Sequence, residues 1–377
     1  MFPKLIRAVT VAQSHGFVEP ILSDLKRKYE VQLLSSSGND LDRICQEYHI
    51  LGHRVEMFRR ISPLKDIKSL WQLIKVFRKE KPYIVHSMTP KAGLLCMLAA
   101  WITRVPKRVH TFTGLVWPTA SGVSRKVLMF TDWLTCACAT HIIPEGQGVL
   151  NDLQQNITKK TMKVLGYGNV KGVDMIRFSR RKNIVEKAKS LRKDGVFTFI
   201  FVGRMVRDKG VNELVEAFAK LYTKYNNIRL LLIGNYEVEL DPLQTDTMDK
   251  IKTLPVIEAM GSKYGDELLI YYAASDCFVF PSYREGFPNT VLEAGAMGLP
   301  SIVTDINGSR EIIIHNKNGI IIPSKDANAL YYAMEQMLIN NEKRISMASK
   351  ARPMIAERFE QSFVQKCLLE FYDEIMN

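Results

Sequence analysis

The chain reads as an α/β protein built from two doubly wound domains, each a parallel sheet with helices on both faces. Three observations predict this. Short apolar runs alternate with longer helical patterns, as in βα units whose strands are buried on both faces. The pattern starts afresh midway along the chain. The length, 377 residues, suffices for two domains of ordinary size.

In the first half a strand over Leu5–Ala12 runs into the loop Ser14-His15-Gly16-Phe17 and a helix over Glu19–Tyr29. Further strands are expected at Val31–Ser35, Tyr83–His86 and Arg108–Thr111, with a small-residue helix over Ala92–Ile102. In the second half, strands are expected at Phe197–Val202, Arg229–Ile233, Cys277–Pro281, Ser301–Thr304 and Gly319–Ile322. Helical patterns cover Asn212–Tyr225 and Thr290–Met297, and the tail is helical from Ala327. The boundary falls in the polar stretch 172–196, rich in Lys and Arg, and divides residues 1–178 from 179–359. Ligands of open α/β sheets bind where loops leave the carboxyl ends of the strands, so those loops carry the candidate chemistry.

Composition narrows the class. With 46% hydrophobic and 24% charged residues the chain suits a globular domain, not a disordered one. Six cysteines are scattered, and Cys136 and Cys138 lack the two-residue spacer of a zinc or redox motif. They read as buried apolar residues in a reducing compartment. The first thirty residues lack signal-peptide features, and the longest apolar stretch, Leu94–Ile102, is far short of the ~20 residues that span a bilayer. The net charge of +13 is placed unevenly. Residues 1–180 carry 27 Lys+Arg against 13 Asp+Glu, whereas residues 181–377 carry 25 against 26. The first half is therefore expected to face an anionic partner.

Two loops stand out. After Phe197–Val202 comes Gly203-Arg204-Met205-Val206-Arg207-Asp208-Lys209-Gly210. The glycine permits a tight turn, and Arg204 and Lys209 can converge on one anion, a guanidinium fork and an ammonium suited to a diphosphate. Taken alone, a solvated basic loop would read the same way. After Cys277–Pro281 comes Ser282-Tyr283-Arg284-Glu285-Gly286-Phe287-Pro288-Asn289-Thr290, leading to Glu293 in a helix. A helix N-terminus favours an anionic ligand, and carboxylates are good acceptors for vicinal hydroxyls. Glu293 by itself could equally be a surface or capping residue.

These segments resemble a known family. GRMVRDKG, PSYREGFPNTVLEAGAMGLPSIVTD and NGIIIP resemble the C-terminal domain of family-four retaining glycosyltransferases of the GT-B fold, whose E-x7-E pattern matches Glu285 and Glu293. In the first half RRISPLKDIKSL, PYIVHSMTPKAGLL and RVHTFTGL resemble the acceptor domain of bacterial enzymes that build capsule, O-antigen and lipid-linked oligosaccharides.

The resemblance implies roles. Arg204 and Lys209 would hold the donor diphosphate and stabilise it as it leaves. Glu293 would take the ribose hydroxyls. Glu285 would contact the donor sugar, with Gly203 at the turn and the backbone of Gly286, Phe287, Pro288, Asn289 and Thr290 beside it. His110 would touch the sugar from the first domain, and Gly16 would approach the diphosphate with its backbone; His86, Lys91 and His15 are lesser candidates. The resemblance also implies two Rossmann-like domains facing across a cleft. The N-terminal one binds acceptor and the C-terminal one donor, and a final helix, about residues 360–377, packs back on the first. The donor is expected to be a UDP-sugar, transferred with retention. No cofactor and no metal ion are expected, since cations and N–H dipoles would carry the departing charge.

Some positions depart from the family. The first loop has a single glycine where paired glycines are common. The segment Glu237-Val238-Glu239-Leu240-Asp241 has no assigned role. Asp40-Leu41-Asp42 has the Asp-x-Asp spacing of a metal motif but reads as an acidic first helical turn.

Pro63–Lys81 places Leu64, Ile67, Leu70, Trp71, Ile74 and Phe77 at helical spacing among basic residues. A basic amphipathic helix with a tryptophan can lie in a membrane interface, and an ordinary helix packed on its own sheet has the same pattern. The expected partners are a nucleotide-sugar donor, a lipid-linked saccharide acceptor and an anionic membrane surface, with no nucleic acid. The expected location is cytoplasmic, peripheral on the inner face of the plasma membrane.

Three other classes compete. A nicotinamide oxidoreductase should carry G-x-G-x-x-G after the first strand, where only Gly16 stands. A nucleotide-sugar epimerase would not need Glu285 and Glu293 in this setting. A basic membrane- or nucleic-acid-binding protein with a degenerate transferase fold would explain the first half but leave the loops of the second without purpose.

Overall fold

The computed structural model describes residues 2–58, 62–237, 239 and 241–376. Residues 59–61, the start of RRISPLKDIKSL, and 238 and 240 of the acidic segment lie outside the described residues. The chain divides into two units, Met1–Gly172 with Ser362–Asn377, and Val173–Gln361.

The first unit carries strands β1 (Lys4–Ala8), β2 (Glu30–Ser35), β3 (Leu51–Arg54), β4 (Ile84–Met88), β5 (Lys107–Phe112) and β6 (His141–Pro144). All pairings are parallel, in the order β3-β2-β1-β4-β5-β6. Helices α1 (Leu22–Lys26), α2 (Asn39–Tyr48), α3 (Pro63–Glu80), α4 (Pro90–Ile102), α5 (Gly122–Cys138) and α6 (Gln147–Asn156) connect them. The order reverses between β1 and β4, making a switch point there.

The second unit repeats the plan. Strands β7 (Phe197–Val202), β8 (Ile228–Ile233), β9 (Ile257–Ala259), β10 (Cys277–Phe280), β11 (Ser301–Thr304) and β12 (Gly319–Ile322) form a parallel sheet in the order β12-β11-β10-β7-β8-β9. Its helices are α7 (Lys182–Leu191), α8 (Val211–Tyr222), α9 (Thr245–Thr253), α10 (Gly265–Ala273), α11 (Asn289–Ala296), α12 (Ser309–Ile312), α13 (Ala327–Ile339) and α14 (Asn341–Phe359). Every residue of β7, β8, β10 and β11 is buried, as expected of strands covered on both faces. The switch point falls between β7 and β10, so the loops leaving those two strands are the ones the fold offers to a ligand.

The last helix, α15 (Gln361–Met376), returns to the first unit. Leu368, Phe371, Tyr372 and Ile375 enter the core formed by β1, β2 and α1. The buried Arg7 donates to the Tyr372 hydroxyl at 2.9 Å, and His86 Nδ1 lies 2.6 Å from the same oxygen.

Several sequence expectations are corrected. The first strand ends at Ala8, and Ala12–Phe17 is a 3-10 turn instead of an open loop. The expected helix over Glu19–Tyr29 shortens to a 3-10 turn, Glu19–Ile21, and α1. The unit boundary lies at Gly172 and not at residue 178. Val173 exchanges backbone hydrogen bonds with Phe359 and Gln361, and Arg352 donates to the carbonyls of Met175 and Phe178, so residues 173–178 pack with the second unit. The polar stretch read as boundary contains α7. Asp40 and Asp42 lie in the first turn of α2.

Candidate active site

Glycines bring the site together. Gly234, at φ 149°, lies so close to Gly203 that a Cβ built on it would stand 1.8 Å from the Gly203 carbonyl oxygen. Gly210, at φ 71°, closes the loop after β7, and a Cβ there would stand 2.0 Å from the Pro281 carbonyl oxygen. Only glycine meets both demands, a left-handed backbone and no side-chain carbon. The loop after β7 can therefore lie directly against the loop after β10.

Hydrogen bonds join the two loops. The Tyr283 N–H donates to Asp208 O at 2.8 Å, and Arg284 Nη2 donates to Asp208 Oδ2 at 2.9 Å. The Tyr283 hydroxyl donates to Glu213 Oε1 at 2.5 Å. Lys209 and Glu285 form an ion pair across the junction, with side chains only 14% and 15% exposed. The Ser282 hydroxyl donates to the same Glu285 oxygen at 2.9 Å. The Lys209 ammonium also lies 5.6 Å from the Phe280 ring centroid, within reach of its π face. Lys209 and Glu285 are thus held in one geometry at the switch point of the sheet.

Arg204 stands nearer the surface, 47% exposed, and pairs with Glu237 at 2.7 Å. Glu293 sits in the second turn of α11, half-buried, with the hydroxyl of fully buried Tyr272 3.4 Å from its Oε2. Burial first, and then the Glu293 carboxylate, hold the Tyr272 phenol well above its ordinary pKa, so it stays protonated and faces the carboxylate as a donor. Gly286 and Phe287 are buried. Gly308 at the start of α12 packs on them, where a Cβ would come within 2.3 Å of the Gly286 carbonyl oxygen. Phe287 anchors the loop through the Phe359 ring at 5.3 Å. Pro288 caps α11, and Asn289 and Thr290 form its first turn. Two cations and two carboxylates therefore sit on adjoining loops and a helix start, an arrangement able to neutralise an anion and to accept hydrogen bonds from hydroxyls.

The first unit gives a different outcome for His110. It lies inside β5, 1% exposed, on the face toward α4. A Cβ on Gly93 would stand 2.4 Å from its ring, Phe112 is 4.4 Å away, and Ser87 Oγ bonds its Nδ1 at 2.9 Å. Burial pushes its imidazole down to about 3, so it is neutral at physiological pH. His110 is a packed core residue in this structure. His86 is likewise buried, its ring nitrogens engaged by Tyr372 and Thr111. Lys91 pairs with Asp66 at 2.5 Å. His15 is fully buried, and burial pushes it down to about 4. Gly16 is half-buried in the 3-10 turn, with no heavy atom within 4 Å of a Cβ built on it.

Sequence reasoning missed Asp208, Ser282, Tyr283, Glu213 and Tyr272. Asp208 offered the best signal, an acid between Arg207 and Lys209 in a basic loop.

Two six-stranded parallel sheets are the architecture of GT-B glycosyltransferases, and comparisons with known proteins agree. Residues 182–354 match the family "Glycosyl transferases group 1", and residues 23–167 match "Glycosyltransferase Family 4". The capsular polysaccharide biosynthesis glycosyltransferase CapM of Staphylococcus aureus is 31% identical over 377 residues, covering 99% of this chain and 97% of that protein. The UDP-Gal:alpha-D-GlcNAc-diphosphoundecaprenol alpha-1,3-galactosyltransferase of Escherichia coli is 30% identical over 365 residues, covering 89% of this chain and 90% of that protein. Among solved structures, Anabaena Alr3699/HepE in complex with UDP and glucose superposes with a TM-score of 0.81 at 15% identity, over 98% of this chain and 100% of that one, a likeness of fold. The chain belongs to the group 1/family 4 glycosyltransferases and has the GT-B fold.

Proposed function

We propose that this glycosyltransferase moves a sugar from a UDP-sugar to a polyprenyl-diphosphate-linked saccharide, with retention of configuration and without a metal ion, in the assembly of a bacterial surface polysaccharide. The observation that carries the donor half is the Lys209–Glu285 pair, which joins the loops leaving β7 and β10 at the switch point, with Arg204 in the first of those loops and Glu293 in the helix that follows the second. Lys209 and Arg204 supply positive charge where the diphosphate departs, the task a metal ion performs elsewhere. Glu285 shares one oxygen between Lys209 and Ser282, so it reads as a fixed acceptor for the donor sugar and not as a covalent nucleophile. Retention then follows from attack by the acceptor on the face the diphosphate leaves. The Escherichia coli relative, a UDP-Gal:alpha-D-GlcNAc-diphosphoundecaprenol alpha-1,3-galactosyltransferase similar over most of both chains, supports both a UDP donor and a polyprenyl-diphosphate acceptor.

Calorimetry with a nucleotide panel, without added metal, tests the donor reading. UDP should bind selectively, and Glu293→Ala should weaken it roughly 10- to 100-fold, the value of hydrogen bonds to a charged group. Equal affinity for all nucleotides, or an unchanged Glu293→Ala, would overturn it. The anomeric configuration of the product, read by NMR, decides retention.

The acceptor half extends to the membrane. Among the described residues no helix is long and apolar enough to cross a bilayer. Helix α3 divides its apolar residues: Leu73, Ile74 and Phe77 enter the core, while Leu64, Ile67 and Trp71 are exposed beside Lys65, Lys68 and Lys75. Helix α5, across α4 from α3, exposes Val123, Val127, Phe130 and Trp133, with Arg125 and Lys126 at its start. Three of the four tryptophans, Trp71, Trp101 and Trp133, are exposed. Apolar stripes edged with basic residues fit an anionic bilayer surface, here the inner face of the plasma membrane, at about 1 kcal/mol per well-placed Lys or Arg. The double change Phe130→Ala, Trp133→Ala should lower partitioning onto anionic vesicles at least tenfold (roughly 1.5–3 kcal/mol per lost aromatic), with turnover of a soluble acceptor analogue retained. Indifference of the unmodified enzyme to anionic vesicles would sink the membrane reading.

A further inference from the structure

The segment after β8 has no part in the proposed mechanism, and its two ends do different things. Gly234, packed on the Gly203 carbonyl, lays it along the loop after β7, and the Met205 N–H donates to Asn235 O at 2.8 Å. At the far end Asp241 accepts from Arg207 Nε at 3.1 Å and from the Asp208 N–H at 2.7 Å. Asp241 therefore pins the loop that carries Lys209. Between these anchors Glu237 is held over Arg204, its Oε2 2.7 Å from Nη1.

We propose that Glu237 is an internal competitor for the anion seat on Arg204, one that a nucleoside diphosphate must displace on binding and that retakes the guanidinium as the diphosphate leaves. The proposal rests on the reading of Arg204 as a diphosphate contact. A carboxylate bonded to Nη1 takes one of the nitrogens that a phosphate would use through two parallel N–H bonds. Both partners are solvated, Arg204 47% and Glu237 28% exposed, so the pair is weak and exchangeable, and a diphosphate with more charge and more acceptor oxygens wins. The exchange lowers donor affinity and shortens the stay of the product. Anions no more charged than a carboxylate gain nothing by entering, which gives the seat selectivity for phosphates.

The experiment is a double-mutant cycle read by calorimetry with UDP and by steady-state kinetics, on Glu237→Gln, Arg204→Ala and the pair. Removing the competitor should tighten UDP binding about two- to fivefold, the most an exposed ion pair contributes. Product inhibition by UDP should strengthen by the same factor, and kcat should fall or hold while the donor KM drops. In the Arg204→Ala background, Glu237→Gln should change nothing. If Arg204→Ala weakens UDP but Glu237→Gln leaves it unchanged or weaker, Arg204 is a donor contact and the competitor role is wrong. If Arg204→Ala does not weaken UDP, the reading of Arg204 fails and the proposal fails with it. A merely structural role for Glu237 would show as a lower melting temperature with no tightening, which also overturns the proposal.

Discussion

Lys209→Met is expected to lower kcat about 10²- to 10³-fold, the usual loss when one preorganised group facing developing charge is removed. The size of the effect comes from the setting. The Lys209 ammonium is mostly buried, lies within reach of the Phe280 ring and is paired with Glu285, so its position costs no rearrangement when charge appears on the leaving diphosphate. Binding of UDP should suffer less than turnover, because that charge is completed only in the transition state. A second reading gives Lys209 a lesser job, neutralising Glu285 so that the loop holds its shape. The double variant Lys209→Met, Glu285→Gln separates them. If charge balance were the whole role, the double variant would regain most of the lost rate; if the ammonium faces the developing charge, it stays as slow as the slower single variant. A Lys209→Met enzyme within about tenfold of the parent would show that the cation lies outside the chemistry.

Gly210→Ala is expected to be among the most disruptive single-methyl changes in the protein. The residue sits at φ 71°, where a Cβ costs about 1–2 kcal/mol on backbone grounds alone. The new carbon would also stand 2.0 Å from the Pro281 carbonyl oxygen, so one loop must move away from the other. We expect a total loss of at least about 3 kcal/mol, in the range reserved for overpacked or strained sites. Activity should fall with it, since the bonds joining Asp208 to Tyr283 and Arg284 depend on that approach. Gly16→Ala is the control, because nothing lies within 4 Å of its Cβ and its φ is ordinary. Its stability should change by less than about 1 kcal/mol. Denaturant midpoints for the two variants check the contrast, and equal midpoints would mean that the loops adapt and that the glycine does not enforce their contact.

The two sheets were legible because their central strands are continuous apolar runs. FTFIFV, IRLLLI, CFVF and SIVT need no partner to be recognised, since a strand covered on both faces must be apolar on both. The edge strands β3 (LGHR) and β9 (IEA) escaped notice because an edge tolerates polar residues and short length, and nothing local separates them from loops. The glycine-flanked loops and the spacing of Glu285 in the loop to Glu293 in α11 were also legible, because turn chemistry and spacing are properties of neighbouring residues.

Side-chain direction and partnership belong to another level. Whether His110 faces a ligand or α4 depends on strand parity within a sheet buried on both sides, and an apolar pattern is silent on parity there. Apolar residues of α3 look alike in the helical pattern, yet Trp71 is exposed and Ile74 is buried because only one face has a sheet beneath it. Lys209 meets Glu285, and Asp208 meets Arg284, each across 76 positions of chain, because parallel crossovers return β7 and β10 to adjacent places with their carboxyl ends level. Local sequence sets propensity, turns and burial pattern, which act over a few residues. Long-range pairing is decided by which crossover brings which strand home, and that is where this protein acquires its site.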